Sequence, residues 1–272
     1  MYLAAHINKE GVNSDLLTAL AFDNGAEGIE ETDTHFICSF GESVSKQDIN
    51  HLLIEMLSLR SSEISIVEVE NENWMENWKK QFKPVPIGDH FIVKPTWETV
   101  EETSKHIIEI DAKMAFGTGT HETTQLVMEL LPKRVSDTTS VLDVGCGSGI
   151  LAIAAHRLGA RTIKAFDVDA VAMENCYENI ELNGCSEINA FAGDITEVDE
   201  KYTIVIANII SKVLIMLKDH LISRIAKDGV LILSGILVTE KEQVLQTFAE
   251  LDVLEERIKG EWCAFVLKPK NT

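Results

Sequence analysis

The chain has 272 residues, of which 45% are hydrophobic and 25% charged, a balance that excludes a disordered or fibrous protein and supports one large or two modest domains. Its 24 basic and 44 acidic side chains leave a net charge of −20, which disfavours binding to a phosphate backbone and favours a basic partner. No apolar run reaches the roughly 18 residues needed to cross a bilayer, and the opening MYLAAHINKEGVNSD has no basic n-region or apolar core. The five cysteines are odd in number and form no C-x-x-C, so neither a disulfide framework nor a zinc knuckle is expected, and a reducing cytoplasm is the expected compartment.

Residues 1–70 carry 13 acidic and 3 basic side chains, a net of −10 and half the charge of the whole chain. Their apolar pattern predicts a strand at Tyr2–Ile7 and a helix from Asn13 or Ser14 to Asn24. Strands follow at Gly28–Glu31 and His35–Phe40, then a helix from Ser45 through Leu57 and a strand at Glu63–Glu70. That β-α-β-β-α-β order is a small ferredoxin-like α+β domain, which by itself assigns no function. Residues 71–87 change character. Trp74 and Trp78 share the face of a short amphipathic helix that runs into Lys83-Pro84-Val85-Pro86, a stiff extended linker. Strands are expected at Phe91–Pro95 and His106–Ile110.

From Ser140 onward, short apolar runs alternate with helices: strands at Val141–Val144, Thr162–Phe166, Ile188–Phe191, Ile204–Ala207 and Val230–Leu233, with helices at Leu151–Leu158 and Ala170–Leu182. Continuous apolar strands separated by helices predict an α/β parallel sheet covered on both faces. Val253–Ile258 and Trp262–Leu267, separated only by Lys259-Gly260-Glu261, add a terminal antiparallel hairpin. The expected domains are therefore 1–70, a connecting segment 71–87, and 88–272.

The chemistry concentrates where the first of these strands ends. Asp143-Val144-Gly145-Cys146-Gly147-Ser148-Gly149 turns from strand to helix through glycines that allow close approach of a ligand to the backbone. A dinucleotide G-x-G-x-x-G needs glycine where Ile150 stands, and a Walker loop needs G-K-[ST]; both fail. The remaining D-x-G-x-G-x-G resembles the first motif of class I S-adenosylmethionine-dependent methyltransferases, which implies a Rossmann-like sheet, Asp143 near the methionine end and the glycine loop on the amino-acid portion. Asp167 ends the second strand, 24 residues after Asp143, where a carboxylate can accept from both ribose hydroxyls. Asp169 is the better N-cap for the helix that follows. Asp194, after the third strand, is placed for the adenine amino group.

Met114 to Thr124 interleaves glycines with hydroxyls, a donor-rich loop suited to a carboxylate. His121-Glu122 would need histidine at Gln125 to read as a zinc site, so no metal is expected; His121 is read as structuring the loop rather than as a base. Asn208, after the fourth strand, stands where methyltransferases of amides and nucleobases carry Asn-Pro-Pro-aromatic. Ile209, Ile210 and Ser211 replace the rest, which supports an aliphatic amine over a flat substrate.

Phe116-Gly117-Thr118-Gly119-Thr120-His121-Glu122-Thr123-Thr124, the Asp143–Gly149 loop, Asn208 and Gly260-Glu261-Trp262 together resemble the bacterial methyltransferases of large-subunit ribosomal protein eleven. The resemblance spans nearly the whole chain. It implies methylation of lysine side-chain and N-terminal amines of that basic ribosomal protein, with substrate recognition by the small domain. It also implies S-adenosylmethionine contacts at Thr124, Gly145, Asp167 and Asn208. Phe116, Thr118, Asp143, Gly147, Gly149 and Asp194 are further expected cofactor positions, and Asn208, whose side-chain carbonyl can orient an amine, is the expected catalytic residue. The alternatives are a class I methyltransferase of another amine, amide or base, a nicotinamide-dependent oxidoreductase, or a non-catalytic binding module. No nucleic-acid or membrane partner is expected.

Overall fold

A computed structural model describes the chain apart from residues 1, 10, 11, 13, 33, 42, 43, 57, 58, 61–63, 70–82, 102, 112–118, 271 and 272. The backbone divides into two compact units, Met1–Gln81 and Phe82–Thr272. The helix expected around Trp74 and Trp78 lies outside the described residues.

In the first unit the elements are β1 (Tyr2–Asn8), α1 (Ser14–Asp23), β2 (Ala26–Glu31), β3 (His35–Phe40), α2 (Lys46–Asn50) and β4 (Ile64–Val69). The sheet order is β2-β3-β1-β4 with antiparallel neighbours, the arrangement of a ferredoxin-like fold. Alternation explains the sheet: Phe36, Cys38 and Phe40 of β3 and Ala5 and Ile7 of β1 point to one buried face. Leu17 and Ala21 of α1 and Ile49, Leu52 and Leu53 cover that face. Ser45 caps α2 reciprocally with Asp48, and the helix continues as a π-helical turn over His51–Met56.

The second unit opens differently from the sequence expectation. The segment read as linker up to residue 87 includes a strand, β5 (Val85–Ile87), antiparallel to β6 (Phe91–Pro95), which is parallel to β7 (His106–Ile110). Pro86 fits there because β5 is an edge strand, where a missing N–H breaks no ladder. A second correction concerns Glu122, Thr123 and Thr124. These do not belong to a loop but form the first turn of α3 (Glu122–Leu130), whose Leu126, Val127, Met128 and Leu130 are all buried.

The main sheet comprises β8 (Ser140–Val144), β9 (Thr162–Asp167), β10 (Asn189–Ala192), β11 (Tyr202–Asn208), β12 (Ile225–Leu237), β13 (Leu251–Lys259) and β14 (Trp262–Pro269), in the order β10-β9-β8-β11-β12-β14-β13. The first five run parallel, and the terminal hairpin joins antiparallel to β12. Successive strand residues feed opposite cores, Val141 and Ile206 to one face, Leu142 and Val205 to the other. The first core takes α3, α4 (Ile150–Arg157) and α5 (Ala170–Leu182); the second takes α6 (Ser211–Met216), α7 (Lys218–Ser223) and α8 (Lys241–Thr247). This is a Rossmann-like α/β fold. From β8 the chain winds outward to β9 and β10, then returns to place β11 on the other side of β8. The carboxyl ends of β8 and β11 therefore flank the point where strand order reverses, the place where such sheets bind ligands.

Candidate active site

At that switch point lies a cavity of about 770 Å³. Its floor is the loop after β8. The N–H groups of Gly145 and Cys146 both donate to the Phe166 carbonyl at 2.9 and 3.0 Å, which pins the loop to the end of β9. Gly145 has φ +69°, and a Cβ there would stand 2.6 Å from Ile209 Cγ2, so a side chain would both strain the loop and strike the opposite wall. Gly149 caps α4 in the left-handed region with no side-chain bond.

Asp167 is held where the sequence places it. Its Oδ2 accepts from Gly147 N and its Oδ1 from Asp169 N, each at 3.0 Å, and the carboxylate lines the cavity. Each oxygen keeps acceptor capacity for a ligand hydroxyl. Asp169, as expected, caps α5 by accepting from Val171 N at 2.9 Å. Asp194 also lines the cavity, but it caps the short 3-10 turn Ile195–Glu197 as well. The Thr196 hydroxyl and N–H donate to its Oδ1 and hold the carboxyl below its usual range.

Asp143 sits elsewhere. It is fully buried beneath the loop and does not line the cavity. Its Oδ2 accepts from Ala152 N in the first turn of α4 at 3.1 Å, while Oδ1 has no partner. Burial pushes its carboxyl up to about 7, the Ala152 N–H opposing and the nearby Asp167 charge reinforcing that shift. Asp143 therefore supports the loop from behind rather than presenting a face to a ligand.

Asn208 ends β11 on the cavity wall. Its Nδ2 donates to Thr124 Oγ1 at 3.4 Å, and its Oδ1 is buried without a partner. Thr124 is itself buried in the first turn of α3, with Thr123 rather than Thr124 at the cavity surface. His121 is the N-cap of α3: its Nδ1 accepts from the Thr123 hydroxyl at 2.8 Å and from Thr123 N at 3.3 Å. That gives His121 a structural role at the start of the helix. Its ring meets Trp262 edge-on, centroids 5.0 Å apart, and both line the cavity. The sequence signals at Asp167, Asn208, His121 and Trp262, drawn from distant parts of the chain, thus converge. Phe116 and Thr118 lie outside the described residues. The sequence reading missed the far wall, Ile195 against Met216, Leu217 and His220. Among the described residues no group of three potential metal ligands occurs.

The comparisons with known proteins bear on the family and the fold. The profile of a family described as ribosomal protein L11 methyltransferase (PrmA) matches residues 9–270. A ribosomal protein L11 methyltransferase of Thermoanaerobacter pseudethanolicus is 40% identical over 217 residues, 79% of this chain and 70% of that protein. One from Ruminiclostridium cellulolyticum is 37% identical over 268 residues, 90% of this chain and 85% of that protein. The chain belongs to the ribosomal protein L11 methyltransferase family.

Among solved structures, a ribosomal protein L11 methylase from Lactobacillus delbrueckii subsp. bulgaricus aligns with a TM-score of 0.67 and 32% identity, covering 70% of this chain and all (100%) of that one. Methanocaldococcus jannaschii Trm5, solved in complex with adenosine, aligns with a TM-score of 0.52 over 99% of this chain at 17% identity, a likeness of fold alone. As a member of the L11 methyltransferase family the protein is an S-adenosylmethionine-dependent class I methyltransferase. The residues present fit that cofactor: a glycine loop that admits close approach to its backbone, a carboxylate at Asp167 with acceptor capacity to spare, apolar Val168 and Ile195 on the cavity wall, and an unpartnered acceptor at Asn208.

Proposed function

We propose that this enzyme methylates lysine side-chain and N-terminal amines of ribosomal protein L11 in the cytoplasm. Residues 1–70 act as the acidic recognition domain for that basic substrate, and the second unit, Phe82–Thr272, as the catalytic domain. The observation that carries this reading is Asn208 Oδ1, a buried acceptor without a partner on the wall of the cavity. A buried carbonyl in that state costs about 1–3 kcal/mol unless a donor arrives. An amine N–H is a donor of the right kind.

The cofactor, when bound, supplies a methyl group on a cationic sulfur together with its own leaving group, so the protein's work is positioning and exclusion of water. Asp167 holds the ribose hydroxyls and, through Gly147, keeps the loop in place. Gly145, Gly147 and Gly149 let the loop backbone approach the amino-acid portion. Asp194 would take the adenine amino group, with Ile195 and Val168 supplying apolar wall at that end of the cavity. Thr124 fixes the amide of Asn208 by accepting from Nδ2, which leaves Oδ1 to aim the substrate nitrogen.

The nucleophile must be neutral. A lysine of pKa about 10.4 is deprotonated in roughly one molecule in a few thousand at pH 7, an offset of about 4–5 kcal/mol. Desolvation against the apolar wall of Ile209 and Ile210 lowers that amine's pKa. With His121 in a structural role at the start of α3, the proton leaves to water. Incubating total ribosomal proteins with isotopically labelled S-adenosylmethionine tests the reading. Label on amines of L11 is expected, and label absent from L11 or confined to another protein overturns it.

A further inference from the structure

Strand β12 carries a polar residue in an otherwise apolar run, Leu231-Ile232-Leu233-Ser234-Gly235-Ile236-Leu237. Ser234 is fully buried and pairs in register with Asn208 on the neighbouring strand. Its hydroxyl does not serve its own sheet. It reaches across to the first turn of α3 and donates to the Thr123 carbonyl at 3.2 Å. That turn carries both Thr123, at the cavity surface, and Thr124, the partner of Asn208 Nδ2.

We propose that Ser234 is a positioning residue for methyl transfer: by tying α3 to the strand beside Asn208, it sets the separation of Thr124 and Asn208 and so the direction of the Asn208 carbonyl oxygen. This deepens the proposed function and rests on Asn208 aiming the amine.

Neighbouring geometry shows that this end of β12 is shaped to the site. The register of β12 with β14 shifts between Leu233 and Ile236, at Ser234-Gly235. Gly235 has φ +79°, and a Cβ there would stand 2.4 Å from the Ile209 carbonyl oxygen, so the strand passes directly under the turn that follows Asn208. Just beyond, Glu240 Oε2 accepts from the Ser211 hydroxyl at 2.7 Å and holds the other end of the same turn. The strand thus braces the Asn208 turn from below and the Thr124 turn from the side. A strand that served only the core would carry an aliphatic residue at 234. The Asn208–Thr124 contact is long at 3.4 Å, so a small displacement of α3 breaks it.

Ser234→Ala removes the donor and keeps the small volume. The expected result is a kcat for methyl transfer to L11 at least tenfold lower, with KM for S-adenosylmethionine and for L11 within about threefold of wild type, since misplacement of aligned groups lowers rate more than binding. Ser234→Cys, close in volume and a weaker donor, is expected to fall between. Ser140→Ala is the control. It removes a hydroxyl that accepts from Thr203 N at 3.0 Å at the opposite end of β8 and β11, and it is expected to leave kcat unchanged. A kcat within twofold of wild type in Ser234→Ala, a wild-type kcat in Ser234→Cys should the alanine variant not fold, or an equal loss in Ser140→Ala overturns the proposal. An inactive wild type in the same assay would instead overturn the substrate reading.

Discussion

Asp143 shows how residue chemistry and sequence position part company. The motif marks it as a cofactor residue, yet it is sealed under the loop with one oxygen on Ala152 N and the other unpaired. With its folded-state pKa near 7 against an ordinary 3.8, the folded chain holds a proton the unfolded chain has lost. Stability attributable to Asp143 therefore falls as pH rises from about 4 to about 7 and is constant outside that window. Asp143→Asn keeps the acceptor for Ala152 N without the charge. Urea denaturation is expected to show the variant more stable than wild type at pH 8, by up to about 4 kcal/mol, with the difference vanishing near pH 4. An equal difference at both values would contradict the assignment. Asp167 presents the opposite case, exposed to the cavity and bonded to two loop N–H groups. Asp167→Ala is expected to weaken S-adenosylhomocysteine binding by about 1–3 kcal/mol in titration calorimetry, and unchanged affinity refutes its ribose role. Asn208→Ala is expected to lower kcat by one to two orders of magnitude in single-turnover methyl transfer, as loss of alignment does; an undiminished rate removes Asn208 from catalysis. These residues were legible because Asp167 and Asn208 end strands of the parallel sheet and Asp143 is the last residue but one of its strand. The burial of Asp143 was not, since nothing in the local pattern distinguishes a carboxylate above the loop from one below it.

The elements that carry a regular signal were read closely; β3, β6, β7 and α5 begin and end where their apolar patterns do. The failures share a physical cause. Helix α3 opens Glu-Thr-Thr directly after the glycine- and hydroxyl-rich stretch that ends at His121, and both threonines are buried, so its first turn reads as a continuation of the loop. Strand β5 is three residues long and contains a proline, which local propensity assigns to a linker. Strand β12 runs 13 residues, past both ends of the four-residue apolar run, because polar Lys227-Asp228 with a register shift against β11 precede Val230 and the shift at Ser234-Gly235 follows Leu233. That second shift is functional geometry. Gly235→Ala is expected to destabilise the protein by more than about 1 kcal/mol, because alanine is strained at positive φ and its methyl meets a backbone oxygen. It is expected also to lower kcat by shifting the Asn208 turn. Thermal unfolding and steady-state rates check both, and a variant as stable and active as wild type contradicts the brace.

At the scale of the whole chain, charge is the feature that separates the two units. If residues 1–70 recognise the substrate as proposed, their net −10 would attract a basic protein over a distance that salt shortens. The kcat/KM for L11 is expected to fall several-fold between ionic strengths of about 0.03 and 0.3 M, with kcat nearly constant. A salt-independent kcat/KM assigns the acidity to solubility alone. The two-unit organisation was visible in the sequence as a change of rhythm, from β-α-β-β-α-β to alternating strand and helix. The convergence of His121, Asp167, Asn208 and Trp262 on one cavity was not, because they come from the cap of α3 and the ends of β9, β11 and β14, elements far apart in sequence that only the tertiary fold brings together. The central claim is that this cavity holds the methyl donor beside Asn208. A crystal structure with S-adenosylhomocysteine tests it most directly. The account predicts the ligand between Gly147, Asp167 and Asn208, with its ribose hydroxyls on Asp167. A ligand bound in another part of the fold, or a cavity left empty at saturating concentration, contradicts it.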